Sequence, residues 1–284
     1  MNKPSEKSSV RFCFRRVLLI AENTVCEAIR QRALVVTFLL VLCWVLSARG
    51  LRVLDFGATE LKFIVDFGFG SIGFFGAVLT VTAMSQLFHR EIELRTALTL
   101  LAKPMSRAEF LLGKLLGVVS VSGGFCAMLT VALLLTLWAR QNAMLRESSE
   151  PLGLGHSLKY FALIAAGFAQ WLKFAVLAAL TLFIASFARS QLFSTTAGFL
   201  VLMIGHLQFI AQASVERASQ GFVGRVISLL PRALPDFQSY DLSSHIEAGA
   251  AVIGPMLIRL VMYTMAYVGL IFVLTVSAFR RREI

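Results

Sequence analysis

The sequence predicts an all-α, polytopic membrane protein with six transmembrane helices. Hydrophobic residues make up 57% of the 284 residues and charged residues only 15%, whereas a soluble domain carries about 25% charged residues. Helices are expected because lipid cannot satisfy exposed backbone N–H and C=O groups. Six apolar runs approach or exceed the ~20 residues that one crossing requires; they are 33–51, 64–88, 110–138, 160–188, 190–212 and 256–279.

The first run is the weakest, and an amphipathic segment precedes it. Only Ala33–Ala48 is free of charge, so this run crosses the membrane if Arg32 and Arg49 extend to opposite interfaces. We predict an interfacial helix over residues 12–32; the alternative is that these residues simply continue the first span. The apolar residues of 12–32 share one helix face, formed by Phe14, Val17, Leu18, Ala21, Val25, Ala28 and Ile29.

The distribution of basic residues predicts that both termini are cytosolic. Short cytosolic loops of membrane proteins carry an excess of lysine and arginine. With the termini inside, 16 of the 27 basic residues lie on the inner side and 10 on the outer side, and Lys173 lies within the fourth span. An anionic lipid leaflet then explains the net charge of +11, so we expect lipid contacts and no nucleic-acid partner.

A polar segment at residues 89–104 separates the second and third runs and has a helical pattern of its own. Pro104 ends this helix, and Ser106 with Glu109 makes a capping box that starts the next one. We predict a dedicated cytosolic coupling helix over 89–104; the alternative is a generic connector. The apolar face of the segment is formed by Leu94, Ala97, Leu98 and Leu101. Glu91, Arg95, Thr96 and Thr99 point away from this face, and we expect Glu91 and Arg95 to be exposed.

The predicted outer side has one long loop, at residues 213–255. A short apolar stripe within this loop is broken by Pro231 and Pro235. The spacing does not decide whether the loop dips into the membrane or lies across its surface.

Small residues on the third run predict close helix packing. Gly113, Gly117, Ser120 and Gly124 share one face, and small side chains let two helix backbones approach each other in lipid. We therefore expect a tightly packed neighbour along this face.

Lys173 is the one charged residue at the middle of a span. A charge at this depth is costly and is often functional. We predict that Lys173 lines a transport pathway or a protomer interface; the alternative is that its ammonium extends to a membrane surface.

The sequence lacks the motifs of common enzyme classes. It has no GxxxxGK[ST] phosphate-binding loop, no HExxH zinc motif and no GxSxG nucleophile motif. The four histidines are scattered over both predicted sides and a span. We therefore expect no catalytic, cofactor-binding or metal-binding residues, and no enzymatic activity on this chain.

The order of residues around the polar segment carries a family resemblance. It runs Phe88-x-x-Glu91, Arg95-Thr96, Leu100-Leu101-x-Lys103-Pro104-x-Ser106-Arg107 and Gly113-Lys114, between two uncharged runs. This resembles the cytosolic segment between the second and third helices of type-2 ABC transporter permeases, the six-helix exporter family. Within that family the chain looks nearest the permeases encoded near multicopper-enzyme maturation factors. The whole chain, 1–284, would then be a single permease domain.

The resemblance implies two protein partners. In this family the segment docks on a separate ATPase subunit, and a second permease copy, expected to be identical, completes the transporter in the bacterial inner (plasma) membrane. The competing hypotheses are a membrane-embedded enzyme and a non-transporting membrane scaffold. The residues that the resemblance assigns to the ATPase contact are Glu91, Arg95, Thr96, Leu98, Lys103 and Arg107.

Overall fold

The computed structural model describes residues 13–47, 60–93, 106–147, 160–218, 235–242 and 250–280. Within these ranges the chain forms seven α-helices, one 3-10 turn and no strand, so the predicted all-α class is confirmed there. The turn is Gln238–Tyr240. The helices are α1 (Phe14–Arg30), α2 (Arg32–Ser47), α3 (Glu60–Glu93), α4 (Arg107–Glu147), α5 (Tyr160–Phe187), α6 (Gln191–Ala218) and α7 (Ala250–Arg280).

Four helices in the described ranges are long and apolar enough to cross a membrane, and they coincide with four of the six predicted runs. α1 and the later part of α2 make a fifth candidate if they are taken as one span, bent by 68°. The apolar stretch of α6 is shorter, at Gln191–His206. The predicted runs 33–51 and 190–212 therefore correspond to α2 and the first part of α6. The four long stretches are Leu61–Ile92, Arg107–Ala143, Tyr160–Phe187 and Gly254–Phe279.

Helix α5 forms the centre of the bundle. Almost all of its residues from Ala162 to Ser186 are buried, including Lys173. Helices α3, α4, α6 and α7 pack around it, whereas only a small share of the residues of α7 is fully buried. The many alanines of α5 allow this arrangement because small side chains let neighbouring helices approach closely.

The small face of α4 is occupied by α1. A Cβ atom on Gly113 would lie 2.6 Å from Ile20 Cβ and 3.0 Å from the Val17 carbonyl oxygen. A Cβ on Gly117 would lie 2.5 Å from Thr24 Cβ. Only glycine permits this approach, and α1 in turn buries Val17, Ala21, Thr24 and Ala28. The predicted close neighbour of this face is thus the short first helix.

Helix α1 is separate from α2 and has a second apolar flank. It ends at Arg30 because Gln31 adopts an extended conformation, with φ −74° and ψ 110°. The buried face is not the whole apolar face that the sequence predicts: Phe14, Leu18 and Ile29 remain at least half exposed. These side chains form a flank next to the buried face, free of any described neighbour that covers them.

Helices α3 and α4 are longer than the runs 64–88 and 110–138 that predicted them. They contain 34 and 41 residues, which correspond to about 51 and 62 Å at 1.5 Å per residue. The hydrocarbon core of a bilayer is only about 30 Å thick, so both helices are longer than one crossing requires. Residues 89–93 of the predicted coupling helix continue α3, and the remainder, 94–104, lies outside the described residues.

A short folded segment at residues 235–242 packs beside the middle of the bundle. The ends of the predicted loop 213–255 belong to α6 and α7, and 235–242 lies against α5 and α6. Phe237 packs against Gly205, and the Tyr240 hydroxyl lies 2.9 Å from the Thr264 hydroxyl. Thr264 is almost halfway along α7, so the segment reaches well into the bundle.

Candidate functional sites at one end and in the middle of the bundle

The first candidate site is the end of the bundle where α3 ends and α4 begins. Here the predicted capping box is confirmed. The Glu109 amide donates to the Ser106 hydroxyl over 3.2 Å, and the Ser106 amide donates to Glu109 Oε2 over 2.8 Å. These two bonds satisfy amides that the first turn of a helix leaves without partners. The start of α4, immediately after residues 94–105, is therefore held in a defined geometry.

Glu109 also attaches the start of α1 to the start of α4. Its second carboxylate oxygen, Oε1, accepts a hydrogen bond of 2.7 Å from the amide of Cys13, the residue that precedes α1. Glu109 is fully buried, and a charged acceptor makes such bonds stronger than neutral ones. One side chain thus joins two helices whose sequences lie almost a hundred residues apart.

A buried ion cluster joins α1, α3 and α4 one helical turn further along. Lys114 Nζ lies 2.6 Å from Glu91 Oε1 and 3.7 Å from Glu27 Oε2. Glu27 Oε1 in turn lies 3.5 Å from Arg90 Nη1. The Lys114 side chain has no exposed surface, so its charge depends on these two carboxylates. The cluster carries two positive and two negative charges and is balanced.

The position of Glu91 corrects one part of the sequence interpretation. We expected Glu91 to be exposed beside the coupling stripe, but its side chain is only 10% exposed and is paired with Lys114. Sequence periodicity placed Glu91 opposite the apolar stripe of 89–104, yet residue 91 still belongs to α3 and faces α4 and α1. Any effect of Glu91 on an ATPase partner would therefore act through the helices that it joins.

Arg107 connects the same end of the bundle to α7. Its Nη1 donates to the carbonyl oxygen of Phe279 over 3.1 Å, and its guanidinium lies 5.9 Å from the Phe279 ring centre. The Phe279 ring also packs on Phe88 of α3. Four helices consequently meet within a few residues of the 94–105 connection. The other predicted contact residues, Arg95, Thr96, Leu98 and Lys103, lie outside the described residues.

The second candidate site is centred on Lys173, in the middle of α5. The side chain is buried, and its Nζ lies 3.1 Å from Nε2 of His206 in α6. His206 Nδ1 lies 3.0 Å from the Leu202 carbonyl oxygen, so we assign the ring proton to Nδ1. Nε2 is then the acceptor, and the Lys173 ammonium donates to it. The Lys173 side chain therefore ends inside the bundle, next to α6.

The folded segment 235–242 supplies polar groups close to this pair. Gln238 Nε2 donates to the His206 carbonyl oxygen over 3.4 Å, and the Phe237 and His206 rings lie 5.9 Å apart. Asp241 attracts Lys173 electrostatically, although its own side chain is exposed. The arrangement brings one cation, one neutral imidazole and one carboxylate together from three parts of the chain.

Tyr240 anchors this segment to α7. Its ring is fully buried, and its hydroxyl bonds with Thr264. Burial raises the pKa of Tyr240 to about 12, so the phenol stays neutral at physiological pH and remains a hydrogen-bonding partner. The segment is therefore held by a neutral polar contact and by the Phe237 ring.

These geometries define what each site can do. The cluster at the end of the bundle is fully engaged in internal contacts and can transmit movement between helices. The Lys173 group holds a cation inside the bundle, paired with His206. Within the described ranges, no three His, Cys, Asp or Glu side chains lie close enough to hold a metal ion.

The sequence identified Lys173 itself but not the residues that lie beside it in the fold. In the sequence His206 was only one of four scattered histidines, and residues 235–242 belonged to the predicted outer loop. One signal was available, because a histidine within an apolar run is a natural partner for a buried lysine. Glu27 and Lys114 were likewise visible as charges, but no spacing rule connects them.

The chain matches no protein-family model, and no curated protein matches it in sequence.

Proposed function

We propose that the chain is the membrane-spanning permease subunit of an ATP-driven ABC exporter, which works with a separate ATPase subunit and a second permease copy. The observation that supports this most is the end of the bundle around residues 94–105. There, three elements distant in sequence are joined by Glu109 and by the Lys114 cluster. A connection that only linked two spans would not need such a framework.

In the proposed arrangement the chain crosses the bacterial inner membrane six times with both termini in the cytosol. The α1 helix lies in the inner interface, its exposed apolar flank towards lipid. The end that contains Lys114 and Arg107 is cytosolic, in agreement with its basic residues. Residues 235–242 enter the membrane from the outer side, as a re-entrant segment that is covered by α5, α6 and α7.

Coupling would use the rigidity of the framework at the cytosolic end. An ATPase that displaces residues 94–105 pulls on the ends of α3 and α4 together, since both helices are attached there. The Lys114 cluster makes α1 follow the same movement. The bond between Arg107 and Phe279 makes the end of α7 follow it as well. Rigid-body displacement of packed helices is a common mechanism for such transitions.

The Lys173 group would lie on or beside the transport pathway. A buried cation between α5 and α6 is costly in lipid. The nearby segment 235–242 places backbone that is not α-helical at the same depth. Irregular backbone at membrane depth occurs where protein or a water-filled cavity surrounds it. This supports a role for the group in the pathway or at the contact with the second copy.

Site-specific photocrosslinking tests the ATPase contact. A photoreactive amino acid is placed at Leu98 in the full-length chain, in membranes of the native host. We expect a crosslink to a polypeptide that has a phosphate-binding loop and no membrane span. The same amino acid at Trp138, which is exposed near the other end of α4, is the control and should give no such product.

The test also separates the competing functions. A membrane-embedded enzyme or a non-transporting scaffold needs no ATPase at this position. Efficient incorporation at Leu98 without an ATPase crosslink would therefore contradict the permease proposal. A product that forms equally from Leu98 and Trp138 would contradict it as well, because the contact would then not be specific to this end.

A further inference from the structure

An apolar cavity opens at the bend between α1 and α2. Its volume is about 350 Å³, within the range of about 300–1,000 Å³ that is typical of ligand pockets. Both sides of the bend contribute to its wall, together with α3 and α4. Its lining includes Ile29, Val35, Phe38, Leu79, Gly124 and Met128.

The chemistry of the wall specifies an apolar occupant. The only hydroxyl in the lining belongs to Ser120, and it already donates to the Leu116 carbonyl oxygen over 2.8 Å. A cavity without free polar groups does not hold ordered water. An alkyl chain is therefore a better occupant than water or a polar metabolite.

The bend at which the cavity opens also carries two positive charges. Arg30 and Arg32 lie on either side of Gln31, at the bend itself, and both are exposed. Ile29, which precedes Arg30, and Leu34, two residues after Arg32, line the cavity. The nearest acidic residue along α1, Glu27, is already engaged with Lys114 and Arg90. Two exposed arginines thus flank the bend at which the apolar cavity opens, a combination that complements an anionic headgroup with an attached alkyl chain.

We propose that this cavity binds one acyl chain of an anionic phospholipid, with the phosphate of the headgroup at Arg30 and Arg32. The exposed flank of Phe14, Leu18 and Ile29 would rest on the surrounding lipid and keep the entrance at the level of the headgroups. The bound lipid would fill the angle between α1 and α2. The proposal requires a membrane location but no transport activity, so it stands or fails independently of the ATPase contact.

Gly124 offers a selective way to fill the cavity. A Cβ at this position meets no atom within 4 Å, so Gly124→Leu occupies the cavity without a backbone clash. Gly269 in α7 is likewise open and exposed. Gly269→Leu therefore adds the same side chain to a helix surface elsewhere and serves as the matched control. Ser120→Leu is a second filling variant from the neighbouring turn.

The experiment uses the full-length chain reconstituted in phosphatidylcholine vesicles with a small fraction of phosphatidylglycerol that carries a photoreactive acyl chain. Labelled peptides are identified by mass spectrometry. We expect labelling of cavity residues, which Gly124→Leu or Ser120→Leu reduces about tenfold, as a loss of about 1.4 kcal/mol would produce. Gly269→Leu should leave the labelling unchanged.

The headgroup is tested with the same vesicles. Arg30→Gln combined with Arg32→Gln should lower cavity labelling by phosphatidylglycerol to the level given by a matching photoreactive phosphatidylcholine. If the two lipids label the unmodified cavity equally, the site is not selective for an anionic lipid and the proposal is wrong. It is also wrong if both filling variants, with helix content unchanged by circular dichroism, are labelled as strongly as the unmodified chain.

Discussion

Replacement of Lys114 by methionine tests whether the ion cluster holds the cytosolic end of the bundle together. The change keeps most of the apolar stem of the side chain and removes its charge. It takes the ion-pair partner Lys114 away from Glu91, whose side chain is only 10% exposed, and leaves the like-charged Glu27 nearby. The ion cluster would then carry an uncompensated negative charge between α1, α3 and α4.

The magnitude follows from the burial of the partners. Removing one member of a buried ion pair costs about 3–5 kcal/mol, because the other charge stays desolvated. Glu27 is 21% exposed and also faces Arg90, so water and Arg90 can compensate for part of the loss. We therefore expect the free energy of unfolding to fall by about 3 kcal/mol, at the lower end of that range.

The double variant Lys114→Met with Glu91→Gln separates charge from packing. It removes both buried charges, and replacing a whole buried pair is often nearly neutral. We expect it to recover most of the loss and to lie within about 1 kcal/mol of the parent. Lys62→Met, the same change at an exposed lysine of α3, is the control and should cost less than about 0.5 kcal/mol.

The assay is denaturant unfolding of the purified chain in mild detergent, followed by tryptophan fluorescence. A Lys114→Met variant that unfolds within about 0.5 kcal/mol of the parent would refute the reasoning. So would a double variant less stable than the single one, because the uncompensated charge would then not be the cause of the loss. If the permease proposal is also correct, Lys114→Met should reduce ATP-driven transport more than the double variant does.

Three further predictions concern other parts of the chain. Gly117→Leu should destabilise the protein by about 1–3 kcal/mol because it forces α1 away from α4, whereas Gly124→Leu should be nearly neutral; equal Tm values for the two would contradict the described packing. Lys173→Leu should abolish transport or dimerisation, measured in vesicles and by size-exclusion chromatography; a more stable and fully active variant would show that the lysine has no role. Reporter fusions should be external at Glu150 and cytosolic at Arg189 and at the C-terminus, and any reversed reading would remove a span from the proposed topology.

Much of the local structure was predictable from the sequence because its causes lie within a few residues. Apolar length alone placed four helices, since a crossing needs a fixed number of apolar residues. The Ser106–Glu109 capping box was predicted correctly because its donors and acceptors are three residues apart. The amphipathic period of residues 12–32 predicted helical structure there, and α1 occupies most of this range; its place at the membrane interface remains a prediction.

Only the tertiary structure decided which of these parts meet. The burial of Glu91 depends on Lys114 and Glu27, which belong to other helices, so no periodicity within α3 could indicate it. The glycines of α4 predicted a close neighbour but not which one. Either α1 or another span could pack against the same small face. Lys173 was found as an isolated charge, yet its partner His206 and the segment 235–242 come from distant parts of the chain. Helix formation is governed by short-range contacts, whereas these pairings arise only when helices far apart in sequence are packed side by side.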